Sequence, residues 1–379
     1  MKHSKTASRR NSLWWQWLGS FALVALCLLG GAMSSDRAPY PGGGDGSESS
    51  DEGKIRLLLA MVWEGRDLAP HNLTALTEFR RDYPDLSVVH LISPAYFTKP
   101  KANAAQIVAA IRSQMQPQDQ AALLLGPWKS LAHAAQVIYR PAPTFWSQEA
   151  VPGDCQVDCG GDVPLNIYPD ADVEKLLTKS LKLFDSHGLG RPIGLAVQGW
   201  MASQAVHEAA TKAGIQYDLS AVAPDLLVRR LRHFPLYAWA KALWSEITPH
   251  SQPYVIDTAS GPLVEIPLSL ASVDYLTRKE IDSLFKEYVG IWRENPRRDL
   301  IFPLVLTQET AMHAVPLMKS SLQGIFAAAA VSHVPLAAMR LPDEGAMVWD
   351  EKLNRPVEKV PPPPSTQPSE SKVETPVAH

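Results

Sequence analysis

The sequence predicts an α/β protein of one domain, built on a parallel sheet covered by helices. Three observations predict it. Short apolar runs of β type take turns with amphipathic helical stretches from residue 54 to about 345. Two of the helical stretches close on a glycine, Gly188 and Gly214, where a left-handed C-terminal residue ends a helix. Strict strand and helix alternation requires parallel strands joined by helical crossovers, in an open sheet or a closed barrel.

Element by element, "IRLLLAMVW" reads as the first strand and "HNLTALTEFRRDY" as an amphipathic helix. "LSVVHLIS" is β-like, "NAAQIVAAIRSQM" helical and "QAALLLG" a third strand. "DVEKLLTKSLKLFDSHG" is a helix, "PIGLAVQ" a strand and "ASQAVHEAATKAG" a helix. "GPLVEIPLS", "RKEIDSLFKEYVGIW", "LIFPLVLT" and "AVPLMKSSLQGIFAAAA" continue the alternation. The segment "HFPLYAWAKALWSEI", with Trp239 and Trp244, stands as an insertion that could be an amphipathic helix. In such folds the working groups collect where strands end, at the C-terminal face of the sheet.

Around this domain the chain has the features of an exported protein. Lys2, Lys5, Arg9 and Arg10 precede an apolar stretch from Leu13 to Met33, about 20 residues and long enough to span a bilayer. Small residues Gly30, Gly31 and Ala32 offer a cleavage site, so residues 1–33 read as a signal peptide or an N-terminal membrane anchor. Residues 34–53 read as a flexible linker and 346–379 as a Pro-rich disordered tail able to contact an envelope partner. The expected location is the cell envelope, on the periplasmic or extracellular side. Of three cysteines only Cys155 and Cys159 lie outside the leader, and their closeness predicts a local disulfide. A formal net charge of -3 with no basic stripe in the domain excludes a nucleic-acid partner.

The strand ends carry the candidate chemistry. Glu64 follows the first strand directly and Asp67 lies three residues on, a carboxylate pattern that serves a metal, acid/base work or a helix cap. The third strand exits through "LLLGPW", residues 123–128, with no acid, histidine or hydroxyl at its tip. Glu309 and His313, one helical turn apart, follow the last long strand. His90 alternates within a β pattern and reads as a core residue. Trp128, Trp146 and Trp200 fall near strand ends, and aromatic faces suit the apolar faces of sugars.

The stretch "RPIGLAVQGWMASQAVHEAATKAGIQYDLS" resembles one common in the polysaccharide deacetylase family, the NodB-like or carbohydrate-esterase-4 type. There "FRAGGW" is followed by a helix and by "G-F-x-Y-D-S-S", and Gly199, Trp200, Gly214, Tyr217, Asp218 and Ser220 match in register. "LVEIPLS" and "LVLTQET" resemble later strands of that family, so the likeness runs over about residues 55–340. It implies a NodB-like distorted (β/α) barrel and metal-dependent deacetylation of acetylated sugars. It also implies a metal-binding acid with two histidines, a carboxylate base and a histidine acid.

The chain departs from that pattern at each working position. Ala60 and Val62 stand where the family's first motif has Thr and the base Asp, leaving Glu64 alone. Leu124 and Gly126 stand at the two histidine positions, beside Pro127 and Trp128, and Ala196 replaces the orienting arginine. The sequence therefore predicts a catalytically degenerate relative that needs no cofactor. Its glycan would be held by Trp128, Trp200 and Trp146. Two alternatives stay open. One is an active zinc-type deacetylase using Glu64, Asp67, Glu309 or His313. The other is a structural or protein-interaction module of the envelope.

Overall fold

In the computed structural model, residues 52–149, 158–341, 347–349 and 356–359 are described. The leader, most of the linker, Cys155 with its predicted pairing to Cys159, and the Pro-rich tail beyond Lys359 lie outside the described residues.

Strand β1 (Ile55–Trp63) shows why the sheet forms as it does: it is apolar on both faces apart from Arg56. One set of its side chains, Leu58 and Ala60, joins the barrel core with Val89, Leu91, Ala122, Leu124 and Ala196. The alternate set packs outward under helices, as a period of two requires. After α1 (Pro70–Asp82) come β2 (Val88–Ile92), α2 (Ala104–Arg112), β3 (Gln120–Leu125), α3 (Lys129–Ala134) and α4 (Asp170–Ser186). Then follow β4 (Gly194–Val197), α5 (Gln204–Lys212), β5 (Tyr217–Asp218), α6 (Pro224–Leu231) and α7 (Pro235–Leu243). The C-terminal part holds β6 (Tyr254–Thr258), β7 (Gly261–Glu265), α8 (Arg278–Glu294), β8 (Leu300–Thr307), α9 (Ala311–Ser332) and β9 (Leu336–Ala338).

The strands run in the order β6-β7-β5-β4-β3-β2-β1-β8, with β9 added to β1. All neighbours are parallel except the β6–β7 hairpin. Past β7 the chain continues to Ser272, which bridges Val305 of β8 in parallel. The sheet therefore curls until its two edges touch at that one bridge, a distorted (β/α) barrel. Pro70 opens α1, and Thr277 with Glu280 forms a reciprocal capping box on α8.

Two features depart from the expected layout. Gly53, assigned to the linker, packs into the domain: its N–H donates to the Pro296 carbonyl and its own carbonyl accepts from Trp292 Nε1. Residues 347–349 (β10) and 356–359 (β11), assigned to a disordered tail, pair as an antiparallel ribbon. The insertion at 233–247 holds one helix, α7, as its pattern suggested, and α6 precedes it.

Beneath α1 and between β2 and β3 lies a dry polar knot. Both Asp119 oxygens accept from Arg80 Nη2, at 3.0 and 2.9 Å, and Arg80 Nη1 donates to the Leu86 carbonyl. His90 Nδ1 accepts from Trp63 Nε1 at 3.1 Å, so Nε2 carries the proton toward Asp119 at 3.3 Å. Burial holds the His90 pKa down, which keeps the ring neutral. His90 is thus the core residue its β pattern suggested. Removing Arg80 strands Asp119 without its cation, so Arg80→Ala is expected to cost about 3–5 kcal/mol in urea unfolding. Arg66→Ala, at a half-exposed rim pair, is expected to cost about 1 kcal/mol or less.

Candidate active site at the barrel mouth

A cavity of about 250 Å³ opens at the C-terminal ends of the strands. Its floor is the top layer of the barrel core: Val62, Leu91, Leu124, Ala196 and Val305. Its walls carry Phe145, Trp146, Trp200 and Tyr275, and its polar rim carries Glu64, Arg66, Asp162, Gln198, Asp274 and Thr307. The period of two explains the floor. Ala60, Val62 and Glu64 climb one face of β1, and Ala122, Leu124 and Gly126 climb β3.

Loop positions are fixed by one buried carboxylate. Glu309, just past β8, accepts from the backbone N–H groups of Glu64, Gly65 and Arg66 at 3.1, 3.1 and 3.2 Å. Tyr96, in the loop after β2, donates its hydroxyl to Glu309 Oε1 at 2.6 Å. Trp128, after β3, donates Nε1 to the Glu64 carbonyl at 3.1 Å. Four strand ends are thereby tied together. Burial, followed by the nearby Glu64 charge, raises the Glu309 carboxyl to about 7.

Arg66 spans the rim, donating to Glu64 Oε2 at 2.8 Å and to Asp162 Oδ1 at 2.5 Å. On the far side, Gly199 and Trp200 both take left-handed backbone angles, φ 66° and 63°. Such a conformation costs a bulky residue about 1–3 kcal/mol and persists where surroundings enforce it. Trp244 Nε1 does so here, donating to the Trp200 carbonyl at 2.8 Å. Between the walls sits Gln198, 6% exposed, whose Oε1 has no hydrogen-bond partner.

No protein-family model matches the chain, and no curated protein sequence matches it. Among solved structures it is similar to a family 4 carbohydrate esterase from Streptomyces lividans in complex with acetate, at 10% identity. That match covers 82% of this chain and 98% of the other, with a TM-score of 0.34. A carbohydrate-esterase-4 family pseudoenzyme from Bacillus anthracis is 7% identical over 76% of this chain and 64% of its own, at a TM-score of 0.35. A 4-alpha-glucanotransferase from Thermococcus litoralis is 13% identical over 76% of this chain and 39% of its own, at 0.41.

The domain is a distorted (β/α) barrel. At such identities the likeness concerns the fold alone, and the chemistry must be read from the residues.

At the mouth of this barrel, the residues expected at the site divide. Glu64, Trp146 and Trp200 line the cavity with Leu124, Val62 and Ala196. A side chain built on Gly126 would strike Gln198 Oε1 at 2.1 Å, so the neighbouring strand's glutamine fills that space. Trp128 is 3% exposed and lies outside the cavity lining, its ring covered by Lys99 Nζ at 4.6 Å. It packs the loop layer instead of offering a stacking face. Asp67 is exposed and caps the turn before α1, accepting from Ala69 N–H. Glu309 is spent on backbone N–H groups, and His313 points to solvent from α9. Tyr96, Tyr275, Gln198 and Arg66 escaped sequence reading, because a lone tyrosine or glutamine in a loop carries no spacing signal.

Among the described residues, no set of three donors for a catalytic divalent ion converges at this mouth: the lining offers the carboxylates Glu64, Asp162 and Asp274 but no histidine or cysteine, and Arg66 pairs with two of the three.

Glu309 also couples stability to pH. Its folded pKa lies above the ordinary value of 4.5, so the folded state binds the extra proton between about 4.5 and 7. Its stabilising contribution is complete below 4.5 and is lost as pH rises through 7. Glu309→Gln should remove up to about 1.4 kcal/mol per pH unit from the fall in stability over that window. Urea midpoints at stepped pH check this.

Proposed function

We propose that the barrel mouth binds an acetylated or otherwise substituted glycan of the cell envelope without hydrolysing it. The supporting observation is the cavity itself. It has aromatic walls, an apolar floor and an unpaired Gln198 oxygen, without a metal-ligand set among the described residues. Aromatic faces cover the C–H faces of a sugar ring, and Gln198 Oε1 would accept one sugar O–H or N–H. The left-handed Trp200, braced by Trp244, is held ready for such stacking. With a leader of signal or anchor type, the domain would work outside the membrane, tethered or released, as an accessory of a polysaccharide machine.

Calorimetric titration with acetylated oligosaccharides and envelope polysaccharide tests the reading. Binding should weaken about tenfold or more, ~1.4 kcal/mol, in Trp200→Ala. Acetate release should stay at background with and without a chelator. Acetate release that a chelator abolishes would instead establish an active deacetylase with a non-standard site.

A further inference from the structure

We propose that His207, Asp218 and Glu265 hold a divalent first-row cation, zinc foremost, between helix α5 and the outer face of the barrel. Asp218 and Glu265 are register partners on the parallel strands β5 and β7. Their chain neighbours Tyr217, Leu219, Val264 and Ile266 belong to the barrel core, so both carboxylates point the other way, toward the helix layer. His207 on α5 faces them, with Nε2 at 2.9 Å from Asp218 Oδ2. One donor atom from each of the three residues lies within 4.8 Å of the others. All three side chains are buried, at 6%, 0% and 0% exposure.

Two adjacent carboxylates in a dry interior require a positive partner, since neither is solvated and like charges repel. Neither meets a lysine or arginine among the described residues. Glu265 Oε1 accepts from the Ala221 N–H, while Oε2 is buried beside Asp218 without a well-formed hydrogen bond. A proton on Glu265 would neutralise one charge, and burial beside Asp218 does favour that proton. A divalent ion neutralises both charges and takes that buried oxygen together with the imidazole nitrogen. One imidazole and two carboxylates suit zinc or a neighbouring transition metal. They do not suit calcium, which needs six or more oxygens. Ser220 Oγ donates to Asp218 Oδ1 at 2.5 Å and so fixes that carboxylate from behind. The site is enclosed, which assigns it a structural role: pinning α5 to the sheet.

The test is metal analysis of the full chain, expressed with added zinc chloride and gel-filtered to remove loose ions. The proposal expects about one zinc per chain in the wild type. Zinc content should drop at least tenfold in His207→Ala and in Glu265→Gln, and be unchanged in Glu64→Gln. It also expects a chelator to lower the wild-type melting temperature by roughly 5 °C or more, with no effect on Glu265→Gln. Glu265→Gln separates the alternatives, because an amide can still donate to Asp218 and would preserve a shared-proton network. A wild-type chain without bound metal overturns the proposal, whatever the variants do. So does zinc that survives Glu265→Gln and leaves with Glu64→Gln, which would place it at the barrel mouth.

Discussion

The barrel mouth depends on one carboxylate. Glu309 gathers three backbone N–H groups and the Tyr96 hydroxyl. Around it the loops after β8, β1 and β2 take their positions, and Trp128 adds the loop after β3 through the Glu64 carbonyl. A carboxylate held in this way fixes the loops around it. The same commitment aims Glu64 and Arg66 across the cavity rim, where they meet each other and Asp162. Shape at the mouth is therefore maintained by groups that in another barrel could have been its chemistry.

The cavity floor follows from this frame. Strand alternation brings Val62, Leu124 and Ala196 to one level, and all three are apolar. One layer higher, Gly126 leaves a gap that Gln198 closes from the next strand. Glycine and glutamine there act as a pair: a larger residue at 126 would displace the amide. The result is a pocket with surface to bury a ligand and one unsatisfied acceptor to orient it, but without a donor set for a cation at its base.

Strands buried on both faces were legible in the sequence. "IRLLLAMVW" and "LIFPLVLT" match β1 and β8 residue for residue. The two-residue β5 has no periodicity to read, and only the run around Tyr217 and Asp218 marked it. The half-exposed β6 carries no continuous apolar signal. At the site, Glu64, Trp146 and Trp200 were found from strand ends, since topology alone puts such residues at the mouth. The roles of Glu309 and Trp128 were not legible. Glu309 acts across 245 positions of sequence on Glu64, and a spacing argument cannot see which buried N–H groups a carboxylate will find. Trp128 looked available for stacking, yet Lys99 and the Gly161 backbone cover it.

The most direct measurement is a crystal structure of the domain soaked with an acetylated oligosaccharide in the presence of zinc. The account predicts an intact sugar against Trp200 and Trp146, its acetyl group still attached, and no ion near Glu64. A metal ion bonded to Glu64, or a deacetylated product in the cavity, would contradict it.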